Sequence, residues 1–180
     1  MNIFLIGYRC TGKTTVAEKL AELTGKACID ADVMLVEKAE MTVAEIVEKF
    51  GWDNFRDRET DVLNELCELE NHIIATGGGV ILRDENVAAM KKAGVVIWLK
   101  ASVETIAERL TADVKSDDQR PALTDQGVVK EIKETLDFRT PLYENAMNFS
   151  IDTDEISIDE ICKTILNNHN WYIAHETPSR

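Results

Sequence analysis

Apolar residues along this chain fall into short runs separated by longer stretches of helical period. Ile3-Phe-Leu-Ile6, Ala27-Cys-Ile29, His72-Ile-Ile-Ala75, Val95-Val-Ile-Trp-Leu99 and Phe149-Ser-Ile151 are too short for helices and are bounded by glycine or polar residues, so they predict strands. Between them, Val16, Leu20 and Leu23 share one face of a helix expected from Lys13 to Leu23, with Gly25 as its stop. Thr42-Val-Ala-Glu45 has capping-box spacing and opens a helix toward Phe50; a second helical pattern fills 54–70. Further helices are predicted over 84–92, from the cap Ser102 to Leu110, over 128–146, and from the box Ser157-Ile-Asp-Glu160 to about Asn167. Pro141 is expected to kink the helix over 128–146.

This alternation predicts an α/β domain built on a parallel sheet. Two segments lack any period. In 111–124, Asp113, Asp117, Asp118 and Gln119 surround Arg120-Pro121, and a loop of that length in a compact domain is expected to be mobile and functional. The other is a tail, 168–180. With no linker or repeat, the reading is a single domain over 1–167 followed by that tail.

Composition narrows the class. A chain of 180 residues with 44% hydrophobic content can bury one full core. A net charge of -13 argues against nucleic acid as a partner, and an anionic ligand would have to be held by locally clustered arginines. Cys10, Cys28, Cys67 and Cys162 form no C-x-x-C pair and read as reduced thiols of a cytoplasmic protein. The N-terminal apolar run is too short for a signal segment, and no stretch approaches the ~20 apolar residues of a membrane span. A cytoplasmic monomer acting on a small molecule, with no membrane partner, is expected.

The chemistry starts at Gly7-Tyr-Arg-Cys-Thr-Gly12-Lys13-Thr14, which follows the first strand and opens the first helix. It fits G-x-x-x-x-G-K-[ST], a phosphate-binding loop. Its glycines let backbone N–H groups turn inward around phosphates, and the helix N-terminus adds partial positive charge. Lys13 can then reach the β- and γ-phosphates, and Thr14 can ligate Mg²⁺. Gly7, Cys10, Thr11, Gly12 and Thr15 complete the nucleotide site. Binding of a nucleoside triphosphate is implied.

Asp30-Ala-Asp32 lies at the C-terminal end of the second strand, where ligands collect in open α/β sheets. If the chain stays extended there, both carboxylates share a face, one toward Mg²⁺ and one toward a substrate hydroxyl. The alternative is a pair of turn acids capping the next helix. Gly77-Gly78-Gly79 ends the third strand and permits a backbone approach to a small ligand that a Cβ would block. No acid lies within the third strand, which leaves Asp30 as the available metal support. Arginine suits a planar carboxylate or a phosphoryl group, so Arg56, Arg120 and Arg139 are candidate ligand residues. Arg9, Arg58 and Arg83 read instead as surface ion pairs with the abundant acids.

In order, the P-loop, Asp30-Ala-Asp32, Phe55-Arg56-Asp-Arg-Glu59, Gly77 to Gly79, Arg120-Pro121 and Arg139-Thr-Pro-Leu-Tyr143 resemble the shikimate kinases, over about residues 1 to 167. The resemblance implies a P-loop kinase fold with a five-stranded parallel sheet in the order 2-3-1-4-5, flanked by helices and carrying a mobile lid at about 111–124. It implies ATP-dependent, Mg²⁺-assisted phosphorylation of the 3-hydroxyl of shikimate, on the route to chorismate and the aromatic amino acids. By match to the family, Lys13 serves the phosphates, Thr14 and Asp30 the metal, Asp32 the reacting hydroxyl, and Arg56 with Arg139 the substrate carboxylate. Gly78 and Gly79 line the same pocket, Arg120 approaches the transferring phosphoryl group from the lid, and Arg109 stacks on adenine. Lys13, Asp32 and Arg120 would form the catalytic set for in-line transfer without a covalent enzyme intermediate. Asp32 either removes the proton or only orients the hydroxyl. One departure stands out: the family usually has Gly where this chain has Cys10. If that position needs positive φ, Cys10 is strained by about 1–2 kcal/mol. Two other readings remain open, a gluconate kinase-like enzyme of the same fold and a nucleotide-binding module without catalysis.

Overall fold

The computed structural model describes residues 1–112 and 125–176. The strands are β1 (Asn2–Ile6), β2 (Ala27–Asp30), β3 (His72–Ala75), β4 (Gly94–Lys100) and β5 (Phe149–Asp152). They form one parallel sheet in the order β2-β3-β1-β4-β5, with β1 at its centre between Ile73–Ala75 and Gly94–Trp98. This is the strand order that the resemblance to the shikimate kinases implied. The helices are α1 (Lys13–Thr24), α2 (Ala31–Ala39), α3 (Val43–Cys67), α4 (Asp84–Ala93), α5 (Val103–Ala112), α6 (Asp125–Ala146) and α7 (Ile158–Glu176).

The apolar runs do not alternate with polar residues because both sheet faces are covered. Phe4, Ile6, Ile74, Val96 and Trp98 face a core completed by Leu35 of α2, Phe55 and Leu63 of α3, Met90 of α4 and Tyr143 of α6. Ile3, Leu5, Ile73, Val95, Ile97 and Leu99 point the other way, onto Val16 and Leu20 of α1 and Ile161 and Ile165 of α7. Each face buries its own row of the same strands, so a one-residue slip would exchange the two cores.

The caps read from the sequence are present. Thr42 and Glu45 bond reciprocally at the start of α3, Ser157 and Glu160 do so before α7, and Thr105 N donates to Ser102 Oγ before α5. Gly51, at φ 82° and ψ 170°, breaks α3 into the two helical patterns expected on either side. α6 continues through Pro141.

Three segments differ from expectation. α2 replaces the extended continuation after β2, because Asp30 caps a helix there. α6 begins three residues before Val128, at Asp125. α7 runs past Asn167 to Glu176, and His169 on its inner side is buried. Residues 113–124, including Arg120 and most of the expected lid, lie outside the described residues. Among those described, no helix is long and apolar enough to cross a membrane.

Candidate active site

The loop between β1 and α1 has the backbone its glycines foretell. Gly7 has φ 147°, and a Cβ there would lie 2.5 Å from Leu99 O; Gly12 has φ 89° and precedes α1. Cys10 sits at φ 60°, so the substituted position is left-handed and strained. Thr11 is buried and donates from Oγ1 to Tyr8 O at 2.8 Å, closing the loop on itself. Lys13 folds back over the same loop, its Nζ donating to Gly7 O (3.0 Å) and Tyr8 O (2.8 Å).

An open cleft of about 500 Å³ runs along the outer side of this loop, bordered by Cys10, Thr11, Gly12 and Thr15. Arg109 of α5 borders it too. It donates from Nη1 to Cys10 O (3.3 Å) and to Thr153 Oγ1 (3.2 Å), and from Nη2 to Thr153 O (3.0 Å). The arginine thereby ties the loop to the end of β5.

Asp30 and Asp32 reach the site by a different route from the shared strand face. The chain does not stay extended: Asp30 is the N-cap of α2, and its Oδ1 accepts from Asp32 N (3.0 Å) and Val33 N (3.3 Å). A capping aspartate satisfies orphan amide donors of the first turn, which is why the helix wins over the strand here. Its other oxygen, Oδ2, accepts from Thr14 Oγ1 at 2.7 Å. A hydroxyl and a carboxylate therefore converge where α1 and α2 begin. Such a sparse oxygen set suits Mg²⁺, which keeps waters and relies on one or two carboxylates plus substrate phosphates. The described residues contain no cluster of three or more His, Cys, Asp or Glu side chains that could hold a metal ion.

Asp32, in the first turn of α2, borders a second cavity of about 280 Å³. Arg56 and Glu59 of α3, Gly77 to Gly79, and Arg139 of α6 line the same space. Arg56 Nη1 donates to Glu59 Oε2 at 2.5 Å, and its guanidinium lies 4.9 Å from the Phe55 ring centroid and 5.7 Å from that of Trp52. Arg139 Nη1 and Tyr143 Oη both donate to Gly78 O, at 3.0 and 2.6 Å. The four-residue spacing puts both on one face of α6. Burial pushes the Tyr143 phenol up to about 12, so it stays a donor.

The glycine triplet is tight for separate reasons at each position. A Cβ on Gly77 would lie 2.5 Å from Glu59 Oε1 and 2.7 Å from Asp32 Oδ1, one on Gly78 would lie 3.3 Å from Gly7 O, and one on Gly79 would overlap the Arg56 guanidinium. Only backbone fits between these groups and whatever fills the cavity.

Asp32, Arg56, Gly78, Gly79 and Arg139 thus come together around one cavity, while Cys10, Thr11, Gly12, Thr15 and Arg109 border the other; Lys13 lies on the carbonyls of Gly7 and Tyr8, and Thr14 on Asp30. Arg120 falls outside the described residues. Four residues in or beside the second cavity were given no separate role by sequence reasoning or were set aside, although three of them stand in the motifs quoted above. Glu59 is 5% exposed and its Oε1 has no hydrogen-bond partner among the described residues. Burial raises its carboxyl above the usual range, opposed by the Arg56 guanidinium and reinforced by Asp32. Its signal was the i, i+3 spacing from Arg56. Tyr143 stands one turn after Arg139, and Gly77 is the first of its triplet. The fourth is Arg9, which has the expected acidic partner, Glu131 at 3.6 Å, but beside a cavity and not on the open surface. Arg83 pairs with Asp57 and Glu85 as expected, whereas Arg58 donates to the neutral amide of Asn54. Arg9 instead borders the cavity, because the glycine-permitted turn carries it off the surface.

Comparison with known proteins agrees with this arrangement. The shikimate kinase family model matches residues 9–170. A shikimate kinase of Thermodesulfovibrio yellowstonii is 41% identical over 165 residues, covering 92% of each chain. A shikimate kinase 2 of Sodalis glossinidius is 40% identical over 165 residues, covering 92% of this chain and 93% of its own. The solved shikimate kinase of Acinetobacter baumannii, in complex with shikimate, superposes with a TM-score of 0.86 at 33% identity, over 98% of this chain and 95% of the other. With motifs, sheet order and whole-chain similarity in accord, the chain belongs to the shikimate kinase family.

Proposed function

We propose that this chain moves the γ-phosphoryl group of ATP to the 3-hydroxyl of shikimate using the two adjoining sites described above. The observation that carries the reading is the acceptor cavity itself. The guanidinium groups of Arg56 and Arg139, the Asp32 carboxylate in the first turn of α2 and a backbone-only glycine wall suit a small hydroxylated ring bearing one carboxylate. A gluconate-like acceptor has less need of two arginines beside such a wall.

In the transfer, Lys13 swings from its own loop carbonyls to the β- and γ-phosphates, which the loop amides cradle. Arg109 holds the loop against the end of β5 and borders the space for the base. Arg56 and Arg139 grip the acceptor carboxylate and so fix the ring in register. Asp32 accepts the hydrogen bond of the 3-hydroxyl and aims its oxygen at phosphorus. The new O–P bond forms as the bond from γ-phosphorus to the bridging oxygen breaks; ADP leaves with that electron pair, and the hydroxyl proton passes through Asp32 to water. A loose transition state asks for the proton late, so orientation is the larger part of the work of Asp32. Thr14 and Asp30 are the residues that would hold Mg²⁺, which when bound neutralises phosphate charge. Arg120 is assigned to the same task by resemblance. A monomeric enzyme working in the cytoplasm completes this reading.

The test is an ATP-consumption assay coupled to ADP release. Turnover should require shikimate, and no comparable rate should appear with gluconate or nucleoside monophosphates. Equal rates with either alternative would overturn the acceptor assignment.

A further inference from the structure

Three arginines border the acceptor cavity, and they are not equivalent. Arg56 donates to Glu59, and Arg139 donates to Gly78 O. Arg9 is different. Its side chain is 16% exposed, yet Nε and Nη2 are buried without a hydrogen-bond acceptor among the described residues. The acid facing it is Glu131 on α6, half-exposed at 46%, whose Oε1 lies 3.6 Å from Nη2. That distance makes an ion pair but not a hydrogen bond. The guanidinium also lies 5.6 Å from the Tyr8 ring centroid. A guanidinium is a fork of five donors, and burying it with donors unmet is unfavourable unless an anion completes it.

Two anionic groups take part in the reaction proposed above: the acceptor carboxylate and the phosphoryl group. Position separates them. Lys13 Nζ rests on the carbonyls of Gly7 and Tyr8, the two residues just before Arg9, so the terminal phosphates lie against this part of the loop. Arg9 N would lie 3.4 Å from a Cβ on Gly78, which puts Arg9 at the seam between the phosphate loop and the acceptor cavity. Arg56 and Arg139 stand on α3 and α6 and engage Glu59 and Gly78 O.

We propose that Arg9 binds the phosphoryl group during transfer and then the phosphate ester of the product, leaving the carboxylate to Arg56 and Arg139. Glu131 is the counter-charge that holds the guanidinium in place before transfer and competes with the product phosphate afterwards. This assignment rests on the shikimate kinase reading and adds a P-loop side chain to the residues that touch the reacting atoms.

The experiment compares the parent protein with Arg9→Met and Arg9→Lys. Coupled assays give kcat and KM, and calorimetric titration gives Kd for shikimate and, separately, for shikimate 3-phosphate. Arg9→Met should lower kcat about 10²-fold, in the range found when one transition-state donor is removed. It should weaken shikimate 3-phosphate by about 10-fold or more, and shikimate by less than about 3-fold, since a charged hydrogen bond is lost only to the phosphate. Arg9→Lys should recover part of both losses, and it carries the same comparison if the Met variant does not fold. Glu131→Gln should tighten 3-phosphate binding alone. Equal weakening of both ligands would make Arg9 a carboxylate residue and overturn the proposal. Unchanged kcat and both affinities would reduce it to a partner of Glu131 and overturn it equally. Parent turnover on shikimate is measured in the same series, so failure of the acceptor assignment would be visible independently of Arg9.

Discussion

Replacing Gly79 with alanine tests the carboxylate grip through one added carbon. The backbone at Gly79, φ -108° and ψ 3°, is open to any residue, so only space decides the outcome. The new Cβ would lie 2.5 Å from Arg56 Cζ, with both terminal nitrogens also inside contact distance. An ordinary van der Waals approach starts near 3.4 Å, so the guanidinium must retreat by about 1 Å. It has little room to do so, because Glu59 Oε2 holds Nη1 at 2.5 Å and the Phe55 and Trp52 rings flank it. The change therefore tilts the fork away from the cavity and loosens its pair with a buried carboxylate.

A charged hydrogen bond of this kind is worth about 1.5–3 kcal/mol, or about 10- to 150-fold in affinity. The expected result is a rise of that size in KM for shikimate. The KM for ATP should stay within about 2-fold, because no nucleotide-cleft residue is touched. Coupled ADP-release assays at saturating ATP, with shikimate varied, measure the first quantity, and the reverse titration measures the second. A thermal melt guards against misfolding. A shikimate KM within 2-fold of the parent, in a protein that melts normally, would falsify the placement of Arg56 on the substrate.

Arg120→Ala should lower kcat by ~10³-fold or more with a much smaller effect on nucleotide binding, in the manner of other transition-state arginines; near-normal kcat would make the residue a bystander. Cys10→Gly should stabilise the protein by about 0.5–1 kcal/mol in urea unfolding, because relief of a left-handed residue exceeds the entropy that glycine adds to the unfolded chain. Unchanged or lower stability would mean that the loop holds φ 60° without strain. His169 is buried on α7, and burial, then Lys26 and the N-terminal amine, hold its pKa below the ordinary 6.5. The neutral ring is the form that the fold accepts, so its contribution is present above about pH 6.5 and is lost as pH falls through the lower folded value. His169→Gln should flatten that acid limb by up to about 1.4 kcal/mol per pH unit, and an unaltered slope would put the titration elsewhere.

What could be read from the sequence divides along a physical line. The strands and the caps were legible because each rests on local spacing: four apolar residues before Gly7, a Thr three residues before a Glu, glycines at turns; the strand order came from the family resemblance, since spacing along the chain does not say which strands pair. Asp30-Ala-Asp32 was ambiguous because the same letters serve an extended strand end and an N-cap, and only the competition of Asp30 for the amides of Asp32 and Val33 decides it. α7 was cut short at Asn167 for a similar reason. Its buried face continues from Ile161 and Ile165 to His169 at helical spacing, but a polar letter there hides an apolar environment. Arg9 was illegible in a deeper sense. Residue type and an acidic chain favour a surface ion pair, and nothing in the spacing says where a loop side chain points. That direction comes from the backbone at Gly7 and Cys10, at φ 147° and 60°, and from the approach of Gly78 across the sheet. A helix or strand assigns faces by periodicity, whereas a phosphate loop assigns them by a few unusual dihedrals. The acceptor side of this loop therefore emerges only when the third strand's glycines close against it.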